Sequence, residues 1–136
     1  CLVGSEMCIR DSIHLLGYKS GEDLQREVGN ARFTVLSSEW RENMPYSGLE
    51  SLAAQTPIIG ARIGGIPELV EEGKTGVTFE SGNAVDLSNS MLKCAAVSAL
   101  NYSAMQHSCR EYVNARCLQN EYALALVDLY ERVIQR

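Results

Sequence analysis

Four short apolar runs constrain what this chain can fold into: Ile13-His14-Leu15-Leu16, Phe33-Thr34-Val35-Leu36, Pro57-Ile58-Ile59-Gly60-Ala61 and Thr75-Gly76-Val77-Thr78-Phe79. Each is too short for a stable helix and is bounded by Gly, Pro or polar residues, so each reads as a strand. The segments between them carry helical signals. Ser20 stands at a cap position ahead of Glu22, Asp23 and Glu27, Leu24 and Val28 share one face, and Gly29-Asn30 ends the segment. Ser47 to Ala54 follows Pro45, which suits the residue before a helix or its first turn but not its interior. Gly64-Gly65 reads as a flexible turn, Pro67 as the start of a short helix, and Gly73 as its close. After the turn at Gly82-Asn83, residues Ala84 to Gln135 read as helical throughout. Strands alternating with crossovers of this length predict an α/β fold, a Rossmann-like doubly wound parallel sheet followed by C-terminal helices. Such sheets bind ligands at the C-terminal edges of their strands.

The polar loop at that edge with the most chemistry is Arg41-Glu42-Asn43-Met44-Pro45-Tyr46-Ser47, which runs into the helix bearing Glu50. Glu42 falls on the loop and Glu50 one turn inside the helix. The free N–H groups expected at Tyr46, Ser47 and Gly48 would suit a phosphate. Carboxylates flanking a phosphate site must bind something else, and hydroxyl groups are the natural partners.

A hydrophobic content of 46%, a charged content of 21% and a net charge of -5 describe a globular chain without the basic surplus that nucleic acid or an anionic membrane requires. No apolar run approaches the roughly 20 residues of a membrane span. Residues 1–12 stand apart. Cys1-Leu2-Val3-Gly4-Ser5-Glu6-Met7-Cys8-Ile9-Arg10-Asp11 looks like the translation of a transposon adapter used in preparing sequencing libraries, with the join at Ser12, and fold reasoning starts at Ile13. The cysteines that remain, Cys94, Cys109 and Cys117, lack metal-type spacing and read as buried or half-buried free thiols, which fits a reducing cytoplasm. Tyr18, His14 and His107 read as packing or surface residues, and no metal is expected. In the tail, Leu124, Val127, Tyr130, Val133 and Ile134 form an apolar stripe at helical spacing, for which core packing is the default.

Leu15-Leu16-Gly17, the glutamates Glu42 and Glu50, Gly64-Gly65-Ile66-Pro67-Glu68, Gly73-Lys74-Thr75-Gly76 and the closing Leu129-Tyr130-Glu131 together resemble one family in their order and spacing. This is the C-terminal, donor-binding domain of retaining GT-B glycosyltransferases of the group 1, or family 4, type, which include sucrose synthases and bacterial phosphatidylinositol mannosyltransferases. The resemblance covers residues 13–136. It implies the C-terminal half of a GT-B fold, a nucleotide-diphosphate sugar as donor substrate, and no cofactor or metal. Position by position, it implies that Glu42 is the catalytic-site carboxylate touching the donor sugar. Glu50 would accept hydrogen bonds from the ribose hydroxyls. Asn43, Met44, Pro45, Tyr46 and Ser47 would meet sugar and diphosphate, Gly17, Lys19 and Ser20 would edge the base, and Gly64 and Gly65 would form a donor-adjacent loop.

The resemblance further implies transfer with retention, in which the departing phosphate takes the acceptor's proton and the enzyme stabilises the diphosphate. The family's Arg and Lys for that work lie upstream of Ile13, as does its N-terminal acceptor domain. The chain is therefore expected to be a fragment, inactive alone, of a cytoplasmic enzyme whose missing half is its partner and is open to peripheral membrane association. A non-catalytic nucleotide-sugar-binding module and a GT-B sugar-nucleotide epimerase are the alternatives. Asn43-Met44-Pro45 stands where many members carry Pro-Phe-Gly, and Gln55 where a Gly often ends the helix.

Overall fold

The computed structural model describes residues 13–116 and 119–134; the adapter-like segment and Cys117 lie outside the described residues. Three strands form one parallel sheet in the order β1 (Thr34–Leu36), β2 (Ile58–Ala61), β3 (Gly76–Phe79). Thr34 pairs with Ile58, and Ile58 with Gly76. The helices are α1 (Gly21–Asn30) ahead of the sheet, α2 (Tyr46–Ala53) between β1 and β2, the single turn α3 (Ile66–Leu69) between β2 and β3, then α4 (Ala84–Ala95), α5 (Ala99–Arg116) and α6 (Gln119–Ile134).

Because successive strand residues point to opposite faces, β2 feeds two cores. Ile58 packs with Leu52, Leu69, Val70, Cys109 and Tyr112 beneath α2, α3 and α5. Ile59 and Ala61 pack with Phe79 and Cys94 on the α4 face. Helices thus cover both faces of the sheet, as expected of a doubly wound fold. Burial pushes the Cys109 thiol up to about 12, and it also raises that of Cys94. Hydroxyl groups tie the layers together. Ser51 Oγ donates to the Thr56 carbonyl at 2.8 Å and shares a hydroxyl–hydroxyl bond of 2.7 Å with Thr34 Oγ1, while Thr56 Oγ1 donates to the Val28 carbonyl at 2.8 Å, fastening the end of α1 to the α2–β2 turn.

Four expectations need correction. Ile13-His14-Leu15-Leu16 is not a strand: it has no ladder partner among the described residues and Leu15 is 96% exposed. A four-residue apolar run becomes a strand only when an edge pairs with it, and hydrophobicity alone does not supply the edge. Gly73 does not close α3, which ends at Leu69; at φ +74° it forms the turn leading into β3, its N–H bonded to the Gly76 carbonyl at 2.8 Å. The C-terminal region breaks after Ala95, where the Val97 carbonyl accepts from Arg32 at 2.6 Å instead of continuing a helix. The stripe of α6 is not packed on the core: Leu124, Val127, Tyr130, Val133 and Ile134 are all exposed.

Candidate functional site

The loops at the C-terminal ends of β1, β2 and β3 meet. From β1, residues 37–45 carry Glu42; from β2, residues 62–65 carry Gly64 and Gly65; from β3, residues 80–83 carry Ser81. The Gly65 N–H donates to the Glu42 carbonyl at 2.7 Å. The two backbones are so close that a Cβ on Gly64 would lie 2.3 Å from the Glu42 oxygen, and one on Gly65 would lie 1.5 Å from the Asn43 oxygen. Gly64 also has φ +55°, a conformation that disfavours side chains. The Gly-Gly step is therefore not the flexible turn its composition suggests but a tight crossing against the Glu42 loop.

Glu42 is oriented from its other side as well. Ser38 Oγ donates to Glu42 Oε1 at 2.9 Å, and the Ser38 carbonyl accepts from Ser81 Oγ at 3.2 Å. Sequence reasoning missed both serines. Ser38, a short hydroxyl four residues before the carboxylate on the same loop, was the signal to read; nothing in the sequence singles out Ser81. A hollow of about 150 Å³ adjoins this corner, lined by Ser37, Glu39, Phe79, Gly82, Asn83, Ala84 and Leu87. Below it, Arg62 spans from Thr78 Oγ1 (3.3 Å) to Asp86 Oδ2 (3.2 Å), and Asp86 Oδ2 also accepts from the Glu80 N–H at 2.7 Å. That network holds the β2 and β3 loops against the start of α4.

Pro45 is buried at the N-cap of α2, with Asn43 and Met44 exposed before it and Tyr46 and Ser47 exposed after it. One expectation changes. The Gly48 N–H is not free but donates to the Pro45 carbonyl at 3.0 Å, because Pro45 adopts the extended backbone that starts the helix. Only the Tyr46 and Ser47 amides remain without an acceptor among the described residues. Glu50 lies on the α2 face turned towards α1. It lines a cleft of about 430 Å³ with Gln25, Gly29, Ala53 and Ala54. It also lines a smaller hollow, of about 110 Å³, with Gly21, Leu24, Gln25 and Val28. That hollow reaches Gly21 at the start of α1, which follows the irregular segment 17–20. Lys19 Nζ sits 3.6 Å from Glu27 Oε1, and Ser20 occupies the N-cap position of α1 without a side-chain capping bond. Glu42 and Glu50 are both exposed rather than buried, since no described element covers the sheet edge above them.

The chain belongs to the glycosyl transferases group 1 family, whose model matches residues 5–115. Among curated relatives, it is 34% identical to spore coat protein SA of Bacillus subtilis over 67 residues, 49% of this chain and 18% of that protein. It is 32% identical to an uncharacterised glycosyltransferase of Methanocaldococcus jannaschii over 81 residues, 60% of this chain and 23% of that one. Among solved structures, sucrose-phosphate synthase from Thermosynechococcus elongatus superposes with a TM-score of 0.80 at 24% identity, over 96% of this chain and 32% of that one. The Anabaena protein HepE in complex with UDP does so with a TM-score of 0.78 at 18% identity, over 91% of this chain and 34% of that one. The chain thus has the fold of part of a GT-B glycosyltransferase and spans about a fifth of the length of these curated relatives. Among the described residues, no helix is long and apolar enough to cross a membrane.

Proposed function

We propose that residues 13–136 are the donor-binding part of a retaining, metal-independent glycosyltransferase that takes its sugar from a nucleotide-diphosphate donor. The observation that carries this reading is the Gly64-Gly65 crossing, which fixes the Glu42 loop beside the open amides of Tyr46 and Ser47. A diphosphate at those two amides would have Glu42 on the sugar side. On the nucleoside side, Glu50 lines the smaller hollow that reaches Gly21, next in sequence to Ser20, and a base lying beyond it would meet Gly17, Lys19 and Ser20. The HepE complexes with UDP and with UDP-glucose add that a neighbour of this fold holds such a ligand.

In the reaction the bond from the anomeric carbon to the diphosphate oxygen breaks, and one from the acceptor oxygen forms on the same face. The acceptor's proton passes to the departing diphosphate. Glu42 orients the sugar through its hydroxyls, and Glu50 anchors the ribose by charge-assisted hydrogen bonds. The cations that stabilise the leaving group, and the N-terminal domain that completes the acceptor site, belong to a protein longer than this chain, which alone binds donor without turning it over.

Calorimetry with uridine, guanosine and adenosine diphosphates tests the assignment. One of the three should bind, and Glu50→Ala should weaken it by roughly 10- to 100-fold, the scale of one or two lost charge-assisted hydrogen bonds. Equal binding by parent and variant would remove Glu50 from the site.

A further inference from the structure

Trp40, the only tryptophan of the chain, sits in the loop between Ser38 and Glu42 and is 82% exposed. The Ser38–Glu42 side-chain bond closes that loop on itself, with Trp40 as its middle residue. Both ends are fastened: the Ser38 carbonyl by Ser81, the Glu42 carbonyl by the Gly65 N–H. A large apolar ring is thus held in solvent at the tip of a braced loop rather than folded onto the sheet. Tyr46, six residues on, is 80% exposed at the start of α2.

We propose that Trp40 is the stacking platform for a neutral sugar ring of the acceptor, which makes the acceptor a glycoside. This rests on the donor-site reading above and names the second substrate of the same site. A pyranose presents an apolar C–H face to an aromatic ring and hydroxyls at its rim. The surroundings of Trp40 match both halves. Glu39 and Glu42 lie one and two residues away as acceptors for hydroxyl protons, and the adjoining hollow carries Ser37 and Asn83. Arg41 is the one cation in this short stretch against the carboxylates of Glu39 and Glu42, a balance that suits an uncharged polyol at this end of the loop, the donor's diphosphate being assigned to the Tyr46 and Ser47 amides at the other. An aromatic side chain contributes contact area at low conformational cost, a property that favours it at recognition surfaces.

The lone tryptophan makes the test direct. Acrylamide quenching of Trp40 is measured on the whole chain, with and without neutral oligosaccharides, and saturation-transfer NMR reads the sugar C–H protons in the parent and in Trp40→Ala. The expected result is that a neutral oligosaccharide shields Trp40 in the parent and equally in Glu50→Ala, and that Trp40→Ala weakens sugar binding at least about threefold, the scale of one lost ring contact. Trp40→Phe should restore part of it. If nucleoside diphosphate binds and depends on Glu50 while no neutral saccharide shields Trp40, the acceptor proposal is overturned and the donor site stands. If saccharide shields Trp40 but no nucleoside diphosphate binds, the donor reading fails instead. Shielding by lipid vesicles and not by saccharides would assign the ring to a membrane surface and overturn the proposal.

Discussion

Gly65→Ala is the substitution with the sharpest expected consequence, because its penalty is steric alone. Gly65 has φ -86°, a value any residue adopts, so no backbone conformation is lost. The new Cβ would lie 1.5 Å from the Asn43 oxygen and 2.7 Å from the Asn43 carbonyl carbon, both rigid main-chain atoms. The two loops would have to separate by roughly the radius of an atom, which takes the 2.7 Å Gly65 N–H to Glu42 bond out of range. The lost hydrogen bond costs about 1 kcal/mol and the forced displacement about 1–3 kcal/mol. A total of roughly 2–4 kcal/mol is a large part of the stability of a single domain, and at this chain length it lowers Tm by roughly 10 °C. Thermal unfolding followed by circular dichroism reads the stability, and calorimetry on the surviving fold reads donor binding, which should fall with it as the Glu42 loop moves. A variant that melts within about 2 °C of the parent and binds nucleotide equally well would refute the close crossing itself.

Gln55 has φ +61° and ends α2 in a Schellman arrangement, its N–H bonded to the Leu52 carbonyl at 3.0 Å and the Thr56 N–H to the Ser51 carbonyl at 2.9 Å. Gln55→Gly should therefore raise stability by about 1 kcal/mol, and an unchanged urea midpoint would count against it. The core holds the Cys109 thiol neutral, so between its ordinary value of 9.0 and about 12 the unfolded chain releases a proton that the native chain keeps. Stability should fall as pH rises through that window, by up to about 1.4 kcal/mol per pH unit, and Cys109→Ala should lessen the slope; parallel losses in parent and variant would show that Cys109 contributes none of it. Because the α6 stripe is exposed, Leu124→Lys with Val127→Lys should reduce binding of a hydrophobic dye and change stability by no more than about 0.5 kcal/mol, whereas a collapse in Tm would mean that the stripe is packed.

The strands that were legible in the sequence are those whose side chains the sheet buries. Ile58 and Ile59 serve opposite faces of β2, and their β-branched run between Pro57 and Gly60 states as much without the structure. Ile13 to Leu16 carried the same signal and formed no strand, because pairing depends on an edge that local sequence does not encode. Among the helices, Pro45 gave the start of α2 and Asn83 that of α4, where its Oδ1 accepts from the Val85 and Asp86 N–H groups. The break at residues 96–98 was not legible, since Arg32 fastens it from 65 residues away. In the candidate site, the placement of Glu42 on a loop and of Glu50 inside α2 was readable from Pro45 and the residues after it. What joins them was not: Ser38 and Ser81 act through hydrogen bonds across loops, and Gly65 through the absence of a side chain.

That division bears on what the site can vary. The Glu42 loop is held by the Gly65 N–H on a backbone carbonyl, by Ser38 on the carboxylate and by the buried ring of Pro45. None of these contacts uses the side chains of Asn43 or Met44, which are exposed. A loop braced through its main chain keeps its position when those two residues change, so substitutions at Asn43 and Met44 need not disturb Glu42. If Glu42 meets the donor sugar as proposed, substitutions at positions 43 and 44 should alter sugar preference with little effect on stability, while the geometry presenting Glu42 depends on Gly65, where even one methyl group does not fit.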